Sequence, residues 1–151
     1  MNVLIRDLVE TFLTCRLKRQ ETRIELQLAE ALPAVEVPCG ELDIALSNLL
    51  LNALHVLEGH PDGTIRITTR GIGPRGVEIS VEDNGPGVAA EDRRRIFEPF
   101  FTTKEAGDGT GLGLSISQAM LGRRGASLNL DPYYKKGARF VMNLRGVISD
   151  E

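Results

Sequence analysis

From Asn84 to Thr110 the chain drops the hydrophobic periodicity that it keeps on either side. Six of its 16 glycines, at positions 85, 87, 107, 109, 111 and 113, fall in or beside this stretch, with room for a short helix over 90–97 at most. A loop this long inside a compact domain is usually functional, because ordering it has a large entropic cost that a mere connection does not need. The rest of the chain can carry it. At 151 residues the length is that of one domain, and 42% hydrophobic with 26% charged residues predicts a packed core.

The flanking segments are regular. Val3, Leu4, Leu8, Phe12 and Cys15 recur near helical spacing, so residues 2–18 are expected to form an amphipathic helix. Ile24, Leu26 and Leu28 alternate with polar residues as in a strand. A helix is expected over about 41–58. At ~100° per residue, Leu46, Leu50, Ala53 and Leu57 share one side while Glu41, Asn48, Asn52 and His55 gather on the other. Alternation at Ile65–Ile67 and Val77–Val81, with a turn over 71–76, predicts a hairpin with one buried face. A helix over 111–122 and strands near 126–130 and 138–144 complete the pattern. Strands joined by tight turns as well as by helices favour a mixed sheet with helices on one face, not a doubly wound parallel sheet.

A net charge of −3 argues against a nucleic-acid partner. Cys15 and Cys39 have no C-x-x-C spacing and no nearby histidine, and are expected to be reduced, buried thiols. No leader is visible. The most apolar stretch, 46–57, is interrupted by Asn48, Asn52 and His55, so no membrane span or direct membrane contact is expected.

Four segments carry chemistry. Asn48 and Asn52, at i and i+4, place two carboxamides on one helix face, where an amide oxygen suits Mg²⁺; taken alone they are equally exposed or capping asparagines. Asp83-Asn84-Gly85-Pro86-Gly87 follows a strand. It puts a carboxylate that can accept from an exocyclic amine beside glycines that let backbone approach a flat ring, although alone it is also an ordinary turn. Ile96 to Lys104 holds three of the five phenylalanines in a polar region, as core or as a lid with docking residues, and Lys104 is either solvated or a phosphate contact. Gly109-Thr110-Gly111-Leu112-Gly113-Leu114-Ser115 opens a helix, whose unpaired N–H groups favour an anion.

Together and in this order, these segments resemble the asparagine box, first glycine box, phenylalanine box and second glycine box of the histidine kinase catalytic domain. That domain belongs to the superfamily shared with gyrase-type topoisomerases, Hsp90-type chaperones and MutL-type repair proteins. The resemblance covers roughly residues 35–145, with Gly137-Ala138-Arg139-Phe140 similar to the closing glycine motif. It implies the Bergerat ATP-binding fold, a two-layer α/β sandwich, over a single domain 1–151 with an ATP lid at about 88–108. It implies that Asp83 reads adenine, with Gly85, Gly87 and Val88 at the pocket's border. It further implies Asn52 as the Mg²⁺ ligand with Asn48 beside it, His55 as an ancillary phosphate contact, and Gly109, Thr110, Gly111, Leu112, Gly113 and Leu114 as the phosphate cradle. Thr103 and Lys104 lie near the γ-phosphate, Lys104 and Asn48 being the residues expected to act in transfer. The closing motif often reads Gly-Thr; Ala138 lacks that hydroxyl, at a cost of roughly 0.5–1.5 kcal/mol in one water-mediated contact.

The superfamily holds ATPases and kinases. In its ATPases a glutamate one turn before the Mg²⁺ asparagine is the base for water; here that position is Asn48, and a carboxamide cannot take the proton. A nucleophile activated elsewhere is therefore implied, and a neutral imidazole serves. His55 and His60 lack the acceptor context. The expected partners are ATP and ADP with Mg²⁺, a phosphoacceptor histidine domain absent from this chain, and indirectly a response regulator. The isolated domain is expected to be a cytoplasmic monomer. A nucleotide-binding module without transfer activity, or an anti-sigma-type serine kinase, is the alternative; the latter generally lacks the Phe-Glu-Pro-Phe-Phe stretch.

Overall fold

The computed structural model describes residues 1–15, 21–102 and 111–147. Its elements are helix α1 (Asn2–Cys15), strand β1 (Arg23–Leu28), helix α2 (Cys39–Val56), strands β2 (Thr64–Ile72) and β3 (Gly76–Asp83), a 3-10 turn (Arg95–Phe97), helix α3 (Gly113–Gly122), and strands β4 (Ser127–Leu130) and β5 (Arg139–Arg145). The five strands form one sheet in the order β1-β2-β3-β5-β4. β1 lies parallel to β2 and the other neighbours are antiparallel, so the sheet is mixed, as expected.

Alternation decides which face is covered. Ile65 and Ile67 of β2, Val77, Ile79 and Val81 of β3, and Phe140, Met142 and Leu144 of β5 all point into one buried layer. α2 lies over it with Leu42, Ala45, Leu46, Leu49, Leu50, Ala53 and Leu54 buried. α1 adds Ile5, Val9 and Phe12, and α3 adds Met120 and Leu121. Leu50 is fully buried, two residues from the partly exposed Asn52. Leu50→Ala is expected to destabilise the fold by about 2–5 kcal/mol, the usual cost of a core leucine plus its cavity. Urea unfolding checks this, and a loss under 1 kcal/mol would mean that the helix does not anchor the core.

The opposite face is a lattice of opposite charges set directly across from one another. Arg66 lies 3.0 Å from Glu25 and 3.6 Å from Glu82; Arg70 is 2.8 Å from Glu78; Arg139 is 3.1 Å from Glu82 and 3.4 Å from Glu78. Each such surface pair contributes little alone, roughly 0–1 kcal/mol, but together they fix the register of four strands.

Two expectations need correction. Cys39 is exposed, because α2 starts two residues earlier than the periodicity indicates and places it in a first turn capped only by Pro38. The short helix over 90–97 reduces to turns and the single 3-10 turn. Glu41 lies in the first turn of α2, and both its oxygens accept from Arg124, at 3.0 and 2.7 Å, tying the start of α2 to the end of α3. That guanidinium holds the Glu41 carboxyl below its ordinary range.

Candidate functional site

β3 pairs with β5, and α2 packs on both β3 and α3, so the elements that carry the expected site residues adjoin. Asp83 ends β3 and is 5% exposed. Its Oδ1 accepts from the N–H of Gly85 at 2.9 Å and of Ala138 at 3.3 Å, and its own N–H donates to the Ala138 carbonyl at 2.9 Å. Burial pushes the Asp83 carboxyl above its ordinary range, and the two backbone N–H groups only partly offset this. Gly137 is required here: a Cβ on it would stand 2.0 Å from the Asp83 carbonyl oxygen, and its φ is +153°. Gly87 stacks on the same turn, where a Cβ would lie 3.0 Å from the Gly137 oxygen. Asp83, Gly85, Gly87 and Ala138 are thus brought together, and Val88 packs on the adjoining core. Asn84 plays a different part: its Oδ1 accepts from Thr64 at 2.8 Å and its Nδ2 donates to the Asp62 carbonyl at 2.9 Å, closing the β2 turn behind the carboxylate.

α2 presents the two asparagines to α3. Asn48 Nδ2 donates to the Gly113 carbonyl at 3.2 Å and to Ser117 Oγ at 2.9 Å. Ser117, fully buried, escaped the sequence reading because a small hydroxyl on an apolar helix face is indistinguishable there from core filler. Asn52, one turn on, makes no side-chain hydrogen bond among the described residues. His55 stands 3.8 Å from Glu58. α3 begins at Gly113, with Leu112 at its N-cap making no side-chain cap hydrogen bond. Leu112 and Leu114 flank that start.

The phenylalanines divide. Phe97 packs edge-to-face on Phe140, with centroids 6.3 Å apart. Phe101 lies beneath the Arg95 guanidinium, 4.7 Å from its ring centroid. Phe100 is 74% exposed and has φ +66°, a conformation rare for a side-chain-bearing residue. Its N–H donates to the Gly111 carbonyl at 2.9 Å. Gly111 permits that contact, since a Cβ there would meet the Phe100 carbonyl carbon at 2.5 Å. Thr103, Lys104, Gly109 and Thr110 lie outside the described residues.

A buried carboxylate ringed by glycines, beside an asparagine-bearing helix of an α/β sandwich, is an arrangement able to receive a planar base with an exocyclic amine. The sequence profile of the family described as histidine kinase-, DNA gyrase B-, and HSP90-like ATPase matches residues 40–147. The chain belongs to this nucleotide-binding family. It is 37% identical over 114 residues to the sensor histidine kinase ZraS of Klebsiella oxytoca, a match covering 76% of this chain and 24% of that protein. It is 33% identical over 150 residues to the sensor protein TdiS of Thauera aromatica, covering 95% of this chain and 26% of that protein. The chain therefore spans about a quarter of the length of these relatives. Among solved structures, the nucleotide-free catalytic domain of histidine kinase ThkA superposes with a TM-score of 0.81 at 28% identity, covering 95% of this chain and 92% of that one. Full-length ShkA in complex with AMPPNP gives 0.80 at 30% identity, covering 97% of this chain and 30% of that one.

Proposed function

We propose that this chain is the catalytic unit of a sensor histidine kinase, which binds Mg-ATP and passes the γ-phosphate to a histidine on a separate phosphoacceptor domain, from which a response regulator is served. The observation that carries the reading is Asp83. Two backbone donors occupy its Oδ1, leaving Oδ2 for an exocyclic amine in a cradle that side chains would fill. Adenine supplies such an amine. Asn52 fits a Mg²⁺ ion that keeps most of its waters and its phosphate ligands: no cluster of three His, Cys, Asp or Glu exists among the described residues, so one amide oxygen is the suitable protein donor. ATP would supply the phosphoryl group; Asn52 would hold the ion that shields its charge, and the first turn of α3 would favour the phosphates.

Asn48 separates transfer from hydrolysis. Its amide is committed as a donor to Gly113 and Ser117, and it has no basic lone pair to take a proton from water. Glu41, two turns from Asn48 on the same helix face, is held by Arg124. The position one turn before Asn52 therefore offers no general base for water, and an acceptor that is already nucleophilic, such as a neutral imidazole, fits. No helix among the described residues is long and apolar enough to cross a membrane. Mixing the chain with the isolated histidine-bearing helices of its parent kinase and γ-labelled ATP tests the reading: acid-labile label is expected on those helices and none on this chain. Label on His55 or His60, or phosphate release without transfer, contradicts it.

Phe100 is our candidate for meeting those helices; its ring is exposed while Phe97 packs on Phe140 and Phe101 lies under Arg95. Phe100→Ala is expected to slow transfer in trans about tenfold, a contact aromatic's usual effect, with ADP affinity unchanged. Equal losses in both would place the ring in the nucleotide pocket instead.

A further inference from the structure

The Asp83 carboxylate is held partly by the backbone of β5, and the next residue along β5 faces the other side of the sheet. Ala138 turns its N–H to Asp83; Arg139 carries its guanidinium to the open face, directly across from Glu82 in the β3–β5 register. There it meets three carboxylates. Nη1 donates to Asp131 Oδ2 at 2.9 Å, Nη2 to Glu78 Oε1 at 3.4 Å, and Nε lies 3.1 Å from Glu82 Oε1. Glu78 and Glu82 belong to β3, and Asp131 opens the β4–β5 loop. The Asp131 N–H also donates to the Arg139 carbonyl at 2.8 Å, and Asp131 Oδ1 accepts from the Tyr133 N–H at 2.9 Å. One side chain thus joins the end of β3 to both ends of the loop that delivers Gly137 and Ala138.

We propose that Arg139 is a positioning residue for nucleotide recognition, clamping the β4–β5 loop to β3 from behind the sheet so that the Ala138 N–H and the bare α-carbon of Gly137 stay against Asp83. This rests on the reading of Asp83 as the group that recognises adenine. The contact it protects is sensitive. At 3.3 Å the Ala138 donor is already near the far end of hydrogen-bond range, so a slip of a few tenths of an ångström forfeits it. Ala138 lies just before the first residue of β5, where sheet pairing alone holds a strand least well.

The clamp has a signature that plain structural support lacks. Burial pushes the Asp83 carboxyl up, while the Gly85 and Ala138 N–H groups hold it down. Losing the Ala138 donor raises it further, so the acidic limb of nucleotide binding moves to higher pH. The other groups nearby are known. Tyr134, on the loop, couples electrostatically to Asp83, to Glu82 and to Arg66, and its own hydroxyl is pushed up, first by burial and then by Glu82. Glu82 adjoins Asp83 on β3, and Arg66 of β2 pairs with Glu82. At the end of α2, His55 faces Glu58.

The test is calorimetric titration of the full chain with ADP and GDP between pH 5 and pH 8, for the parent, Arg139→Met, Arg139→Lys and Asp83→Asn. Arg139→Met is expected to lower ADP affinity about tenfold, shrink the preference for ADP over GDP, and shift the acidic limb upward, with Arg139→Lys restoring most of each. A folded Arg139→Met protein with the parent's ADP preference and acidic limb overturns the clamp. If circular dichroism shows Arg139→Met unfolded, Asp131→Asn decides: it weakens the loop-side anchor alone and must shift the acidic limb in the same direction, or the proposal fails. Asp83→Asn isolates the underlying reading, since an unchanged ADP preference there removes the adenine assignment whatever Arg139 does.

Discussion

Asparagine in place of Asp83 is expected to make the nucleotide-free protein more stable at neutral pH while lowering ADP affinity about tenfold or more. The two effects have one cause. The carboxyl is buried and its folded-state pKa stands above the ordinary aspartate range, so the folded chain holds that proton more tightly than the unfolded chain. Between the unfolded value and the raised folded value the native state binds more protons, and stability falls as pH rises through that window. Above that window the loss is complete. Asparagine never ionises, and its Oδ1 can still accept from Gly85 and Ala138, so the loss is removed. It then turns an amide donor toward the adenine amine, where an acceptor is needed, and leaving that pairing unmade costs roughly 1–3 kcal/mol. Thermal melts at pH 7 and pH 4, with and without ADP, read both effects. The apo melting temperature should rise at pH 7, the gain should shrink at pH 4, and the ADP-induced shift should collapse. A less stable apo variant at pH 7 would mean that the carboxylate is better paired than its burial and two donors indicate.

Asn52→Ala is expected to remove the metal-dependent part of nucleotide binding and with it transfer to the acceptor histidine. Asn48 is tied to α3 through its Nδ2, which donates to Gly113 and Ser117. Titrating ATP with and without Mg²⁺ in parent and variant separates the terms. The metal-free affinities should agree within a few-fold, and the increment from Mg²⁺ should be lost in Asn52→Ala. An identical Mg²⁺ increment in both proteins would assign the ion to other ligands. Asn48→Ala serves as a contrast, because it should disturb the α2–α3 contact and stability as well as binding.

Periodicity made most of the scaffold legible. Period-two alternation at Ile65–Ile67 and Val77–Val81 survives as the β2–β3 hairpin, and the polar stripe on α2 places Asn48 and Asn52 on one face because residues four apart share a helix side. Tertiary partners were not legible, since nothing local marks them. Ser117 reads as any small helix residue until Asn48 arrives from 69 positions away. Arg139 reads as the outward residue of an alternating strand, and its three carboxylates are visible only once β3 and β4 flank it. Phe100 and Phe101 are equivalent in sequence; a positive φ turns one ring outward and a guanidinium from the preceding turn covers the other. Cys39 went wrong for a smaller reason, a helix that starts one half-turn early.

The Phe100–Gly111 hydrogen bond has an evolutionary consequence. It brings positions 100 and 111 together, so the spacing of the two flanking segments is set at one point whatever the length of chain between them. Doubling the number of residues between those positions would add only about 0.6 kcal/mol of closure entropy. A change in that length is therefore compatible with an unchanged turn at Asp83, Gly85 and Ala138. Lineages are free to vary it while inheriting intact the framework that holds the buried carboxylate.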